Sequence, residues 1–225
     1  MKQNVIAIDG PAGAGKSTVA KKVAAALDFV YIDTGAMYRA VTSRALTLGI
    51  EETDTVEIVK LAGRVNIRLK QDSGGLRVLA DGADVTEEIR TPAVSAAVAV
   101  ISQVPAVRQA LVRLQQEMAE AGKAVLDGRD IGTVVIPEAC AKIFLTASPA
   151  ERARRRWMEL REKGYEPDLQ ALQAEMEDRD RKDIERELAP LQQAEDAVLV
   201  DTTGLSIDAV VERILEIYRA RCNNV

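Results

Sequence analysis

Lys16 and Ser17 close an eight-residue run, Gly10-Pro11-Ala12-Gly13-Ala14-Gly15-Lys16-Ser17, that meets every fixed position of the G-x-x-x-x-G-K-[ST] pattern. Such a run binds phosphate. Its glycines let successive backbone N–H groups turn towards phosphate oxygens, and the helix start that follows adds the positive end of its dipole. In that arrangement Gly10, Pro11, Ala12, Gly13, Ala14, Gly15, Lys16, Ser17 and Thr18 surround a polyphosphate. Lys16 reaches its β/γ end and the Ser17 hydroxyl binds Mg²⁺. Both flanks agree: Val5-Ile6-Ala7-Ile8 reads as a buried strand, and Thr18 to Leu27 as a helix with Val19, Val23, Ala26 and Leu27 on one side. The run predicts a nucleoside triphosphate site.

Four other clusters carry charge suited to anions, each with a plainer alternative. Asp33-Thr34-Gly35-Ala36-Met37-Tyr38-Arg39 follows a second strand at Val30–Ile32, where a new helix offers amides and Arg39 a guanidinium. The alternative is an ordinary turn with Tyr38 packed inward and Arg39 in solvent. Asp127-Gly128-Arg129-Asp130 ends a third core strand, Ala124–Leu126, at the edge where open parallel sheets bind ligands. There Arg129 and Asp130 can read the pairing edge of cytosine, while Asp127 or Asp33 is a candidate Mg²⁺ carboxylate; the alternative is a salt bridge capping the strand. Arg152, Arg155 and Arg156 stand at i, i+3 and i+4 of one helix, either as a phosphate clamp or as a solvated face balanced by Glu151, Glu159 and Glu162. Arg179, Asp183 and Arg186 stand at i, i+4 and i+7, suited to a phosphate and a sugar hydroxyl or to an exposed helix with an Arg179–Asp183 pair.

These groups need a scaffold, and the periodicities supply one. Helices are predicted at Thr34–Leu48, 54–63 and Pro105–Ala121, and one capped by Ser206 with Ile207, Val210, Val211, Ile214, Leu215 and Tyr218 as an apolar stripe. Lys142–Leu145 and Ala197–Val200 complete a set of short buried strands. Between roughly Leu61 and Ala99 the pattern turns antiparallel, with a Gln71-Asp72-Ser73-Gly74-Gly75 turn and an Asp81-Gly82 hairpin signal. The expectation is an α/β fold: a five-stranded parallel P-loop core with helices on both faces, plus a small antiparallel insert.

Composition removes several classes of chemistry. The chain has 225 residues and no histidine, which excludes Ser-His-Asp and Cys-His hydrolysis and imidazole metal sites. A net charge of −5 argues against nucleic acid as a partner. Cys140 and Cys222 show no CxxC or metal spacing and are expected to be reduced thiols of a cytoplasmic chain. Neither a signal peptide nor an apolar run of membrane-spanning length is seen.

In order and spacing, GPAGAGKS, DTGAMYR, EEIRTP, PAVRQAL, LDGRDIGTVV, KIFLTASPAERARRR and DRDRKDIERELAPL resemble the bacterial cytidylate kinases, from Val5 to Tyr218. The resemblance implies one kinase domain over 1–225, with a monophosphate-binding insert at 62–99 and a lid at 148–166. It implies transfer of the γ-phosphoryl of MgATP to CMP or dCMP by a cytoplasmic enzyme, expected to be a monomer. Thr34, Arg39, Arg129 and Arg186 would hold the acceptor, with Arg108 and Asp130 on cytosine and Arg179 and Asp183 on its phosphate and sugar. Lys16, Arg152, Arg155 and Arg156 would meet the transferring phosphoryl. Several relatives carry a serine where this chain has Ala99, with Ser95 one turn earlier. Two rivals are a P-loop NTPase switch, which lacks its N-K-x-D element here, and a kinase for a hydroxyl acceptor, for which Asp33 would be the base.

Overall fold

Apolar runs with no polar alternation make strands buried on both faces, and Val5, Ile6, Ala7, Ile8, Ala124, Val125 and Leu126 are fully buried here. The computed structural model describes residues 2–72 and 75–222. The chain begins β1 (Lys2–Asp9), α1 (Lys16–Leu27), β2 (Val30–Asp33), α2 (Thr34–Thr47) and α3 (Thr55–Ala62). It continues through β3 (Ile67–Asp72), β4 (Gly75–Ala80), β5 (Ala83–Asp84), α4 (Pro92–Ile101), α5 (Pro105–Met118) and β6 (Ala124–Gly128). The last elements are β7 (Ala139–Thr146), α6 (Pro149–Glu162), α7 (Leu169–Glu185), β8 (Val198–Asp201) and α8 (Ile207–Cys222).

A five-stranded parallel sheet runs in the order β2-β6-β1-β7-β8, with helices on both faces, as expected. Its register pairs Asp9 with Gly128 on one side and with Phe144 on the other, so β1 and β6 end together while β7 runs on to Thr146. The order reverses at β1, which places the exit of that strand at the topological switch point where ligands bind. The chain forms two compact units, one of residues 1–31 and 119–225 and one of residues 32–118.

Within the first unit, α1 and α8 pack on each other and on β6 and β7. Asp9, at the end of β1, accepts hydrogen bonds from the backbone N–H groups of Ile131 (2.8 Å) and Gly132 (2.7 Å). Those residues belong to a wide turn in which Val135 N–H bonds Asp130 O and Ile136 N–H bonds Ile131 O. Cys140 and Cys222 are not the free thiols expected: they form a disulfide, with Cα atoms 5.6 Å apart. The cause is tertiary. Cys140 lies on β7, Cys222 ends α8, and α8 packs along β7, so a separation of 82 residues closes in space.

In the second unit β3, β4 and β5 form a separate antiparallel sheet. Asp81 and Gly82 both take positive φ (52° and 84°), the geometry a two-residue Asp-Gly hairpin requires. The other expected turn has its centre, Ser73-Gly74, outside the described residues. The antiparallel region is shorter than the pattern suggested, because Thr91 and Pro92 open α4, with the Thr91 side chain accepting from Val94 N–H. Glu88 fastens this region to α2 by accepting from Ser43 Oγ (2.6 Å) and Thr47 Oγ1 (3.1 Å). Among the described residues no single helix is long and apolar enough to cross a membrane.

The turn out of β1 is the tightest point of the sheet. Gly10 has φ +146°, and a Cβ there would stand 1.9 Å from the carbonyl oxygen of Leu145 on β7. Gly10→Ala is expected to cost about 3 kcal/mol or more in urea unfolding; an unchanged midpoint would show that β1 and β7 can part freely here.

Candidate active site

Gly15 precedes α1 in a left-handed conformation (φ 90°, ψ 7°) and supplies no side-chain cap, and the first turn of α1 holds no acid. The first N–H groups of α1 therefore have no local carboxylate to bind, which suits an external anion. Lys16 is 7% exposed and its Nζ donates to the carbonyl of Pro11 in the same loop at 2.7 Å. Burial, reinforced by the charge of Arg129, holds its pKa well below the usual lysine value. Ser17 Oγ donates to Asp127 Oδ2 at 2.8 Å, while Tyr31 donates its hydroxyl proton to Asp127 Oδ1 at 2.8 Å. Mg²⁺ at a phosphate site takes one or two carboxylates beside phosphate oxygens and water, and a buried Asp127 against Ser17 fits that donor set. Asp33, the other candidate, caps α2 by accepting from Ala36 N–H (2.7 Å) and also accepts from Arg39 Nη2 (3.4 Å).

The same unit gathers the charged residues of two separate sequence clusters. Arg129 Nε donates to Asp183 Oδ2 at 2.9 Å, and Arg186 lies 3.6 Å from Asp130 Oδ1 and 3.8 Å from Asp183 Oδ1. Arg186 also donates to the carbonyl of Ala189, which its positive φ of 52° turns inward. Burial opposes the charge on Asp183, but Arg129, Arg179 and Arg186 outweigh it and hold the carboxyl below its usual range. Arg129 is raised in turn: burial works against its charge, and Asp183, Asp180 and Asp127 more than offset this. Asp9 moves the opposite way, to about 6, because burial exceeds the relief from its two backbone donors.

In the second unit Thr34 begins α2 and is 3% exposed. Arg39, one turn on, buries its Nε without a hydrogen-bond partner among the described residues. Arg108 is 4% exposed and holds its guanidinium over the Tyr38 ring, 5.7 Å from the centroid. The unmet Nε donor of Arg39 suits an anion. Ala99 lends only its carbonyl, to Gln103 Nε2 (2.8 Å), and the Ser95 hydroxyl donates to Thr91 O at 2.9 Å within its own helix.

The α6 arginines divide. Glu151–Arg155 and Glu159–Lys163, the pairs expected of a solvated face, both form (2.9 and 2.8 Å), and Arg156 bonds Glu159 at 2.7 Å. Arg155 goes further, donating to Thr202 Oγ1 (2.9 Å) and Thr202 O (2.8 Å), beside the carbonyl of Ala14. Arg152 turns inward instead: its Nη1 bonds Ala12 O at 3.0 Å and pairs with Asp180, and its Nε donates to Ala147 O at 3.1 Å. Pro11, Thr146, Arg152, Asp180 and Leu191 line a cleft of about 500 Å³ beside this contact.

Asp9, Tyr31, Asp180 and Thr202 were missed by sequence reasoning. Asp9 and Thr202 carried a weak signal, as polar residues closing apolar strands. Tyr31 read as core, and Asp180 lay unmarked between Arg179 and Arg181 in a helix of mixed charge.

The solved structures of similar shape include an uncharacterised protein from Eubacterium ventriosum (TM-score 0.55, 14% identity, 98% of this chain and 100% of that one). A shikimate kinase from Acinetobacter baumannii is also similar (TM-score 0.50, 14% identity, 99% and 96%). These likenesses show the fold alone. The sequence is more specific. The chain is 53% identical to the cytidylate kinase of Desulfitobacterium hafniense over 97% of its length and 94% of that protein. It is also 53% identical to the cytidylate kinase of Geobacillus kaustophilus, over 98% and 99%. Residues 6–220 match the cytidylate kinase family model, from β1 through the phosphate loop and the Arg129–Asp183 cluster to α8, and the chain belongs to that family.

Proposed function

We propose that this chain transfers the γ-phosphoryl group of MgATP to the phosphate of CMP or dCMP, giving CDP or dCDP. The observation that carries the reading is the buried join of Arg129, Asp130, Asp183 and Arg186 in the same unit as the Lys16–Ser17 loop. Two arginines held by two carboxylates present fixed donors to a dianion and an acceptor to a sugar hydroxyl. By motif, Thr34, Arg39 and Arg108 would also serve the acceptor nucleotide, and Arg108 and Asp130 its cytosine edge. The insert at 62–99 folds over the monophosphate, and the lid at 148–166 closes on the donor.

No general base is needed. A phosphomonoester has its second pKa near 6, so the attacking oxygen is already anionic. The work left is to bring two polyanions together and to stabilise charge on the group in flight. Lys16, released from Pro11 O when a phosphate oxygen accepts its hydrogen bond instead, serves the β/γ oxygens as an ammonium; Arg155 and Arg156 add charge from α6. Ser17 and Asp127 would hold Mg²⁺, which would supply positive charge to offset that of the phosphates. Closure of the lid excludes the water that would otherwise hydrolyse ATP. A monomer acting on small molecules in the cytoplasm fits a reaction whose donor is ATP, and the net charge of −5 gives nucleic acid no attraction.

The testing experiment measures ADP formation from MgATP with CMP, dCMP, UMP, AMP, GMP or shikimate, beside a control without acceptor. Fast turnover confined to the cytosine nucleotides is expected; turnover equal to the control in every case would make the chain a hydrolytic switch. Lys16→Ala is expected to lower kcat by roughly two orders of magnitude or more, and near-normal turnover would remove Lys16 from the reaction. Asp130→Asn is expected to narrow the preference for CMP over UMP, because an amide no longer disfavours the uracil carbonyl. An unchanged ratio would take Asp130 away from the base.

A further inference from the structure

By spacing, Arg152 belongs with Arg155 and Arg156 as a group for the transferring phosphoryl, yet its surroundings assign it another task. Its side chain is buried, and it meets the backbone of the phosphate loop at Ala12. Arg152 Nη1 donates to the carbonyl of Ala12 at 3.0 Å, and Asp180 Oδ1 accepts from the N–H of the same residue at 3.3 Å. Arg152 and Asp180 are themselves joined in an ion pair, with side chains 7% and 11% exposed. Both backbone polar groups of one loop residue are thus taken by one side-chain pair, whose halves come from α6 and α7.

Packing reinforces the contact. A Cβ on the neighbouring Gly13 would lie 2.8 Å from Met176 Cε and 3.0 Å from Arg152 O. Ala12 itself packs on a cluster of Ala153, Leu172 and Met176, with Trp157 and Leu160 at its edge.

We propose that Arg152 and Asp180 are a positioning pair for the donor site: they fix the phosphate loop at Ala12 in its ATP-binding shape, and Arg152 acts through the loop and not on the phosphoryl group. This rests on the assignment of residues 10–18 as the ATP site. A buried ion pair of this kind contributes little net stability, since an apolar pair of similar volume commonly replaces it without loss. What an apolar pair cannot do is hold a carbonyl and an N–H in place.

The test compares the parent protein with the double variant Arg152→Met/Asp180→Leu and with Asp180→Asn. ATP affinity is measured by titration calorimetry without acceptor, alongside kcat at saturating ATP, KM for CMP and the melting temperature. Binding of MgATP by the parent checks the assignment of the site; no binding there would overturn that assignment and this proposal together. The double variant is expected to melt close to the parent, bind ATP about tenfold or more weakly, and keep kcat within about threefold once saturated. An unchanged ATP affinity in a folded double variant would make the pair merely structural. A kcat lowered about a hundredfold with ATP affinity intact would return Arg152 to the phosphoryl group, and either result overturns the proposal. Should the double variant not fold, Asp180→Asn decides: its ATP affinity is expected to fall at least about fivefold, and parent-like affinity overturns the pair's role.

Discussion

A backbone loop that offers its amides to an anion cannot use those amides to hold itself in shape. This constraint governs the surroundings of residues 10–17. The loop is gripped at three carbonyls, by Lys16 Nζ on Pro11 O, Arg152 on Ala12 O and Thr202 on Ala14 O, and at the amide of Ala12, which Asp180 holds back from the anion. It is wedged at Gly10 against β7 and at Gly13 against α6 and α7. The elements that do this come from the far end of the chain, so the site depends on the complete parallel sheet. A nucleotide-binding loop cut from this context would keep its sequence and lose its form.

The second organising fact is the density of paired charge under low exposure. Asp127, Asp130, Asp180 and Asp183 face Lys16, Arg129, Arg152 and Arg186 within one unit, most of them buried. Each ion is expensive to bury alone and tolerable with partners. The shifts follow from this: Lys16 is pushed down by burial and by Arg129, while Asp183 is held down by three arginines. Charges already oriented by one another need little reorganisation when a polyanion arrives, and that is where such a site gains its effect on rate.

What the sequence revealed and what it hid divide along the distance of the contacts. The phosphate loop, the Asp81-Gly82 turn and the Ser206 cap are written in consecutive residues, and local chemistry was enough to read them. The pairs Glu151–Arg155 and Glu159–Lys163 were equally legible, at one helical turn. The partnership of Arg129 with Asp183 spans 54 residues, and only the ordering of the sheet makes it. Spacing left Asp183 open between a site and a solvated face; the fold brings it to Arg129. Cys140 and Cys222 failed for the same reason, since nothing in either segment points to a partner 82 residues away. Asp180 was hidden differently. Mixed charge along α7 gives no periodic sign of which carboxylate turns inward.

Asp9 has a consequence of its own. Its carboxylate ends the strand that delivers the phosphate loop and takes the two amides that directly follow Arg129 and Asp130. The strand end that opens the phosphate loop and the segment that follows Arg129 and Asp130 are therefore joined by one carboxylate at two main-chain amides. Because both donors are main-chain groups, side chains on that segment can change rotamer without breaking the link. The two segments are held together at main chain, and the side chains of Arg129 and Asp130 are left to turn to partners of their own.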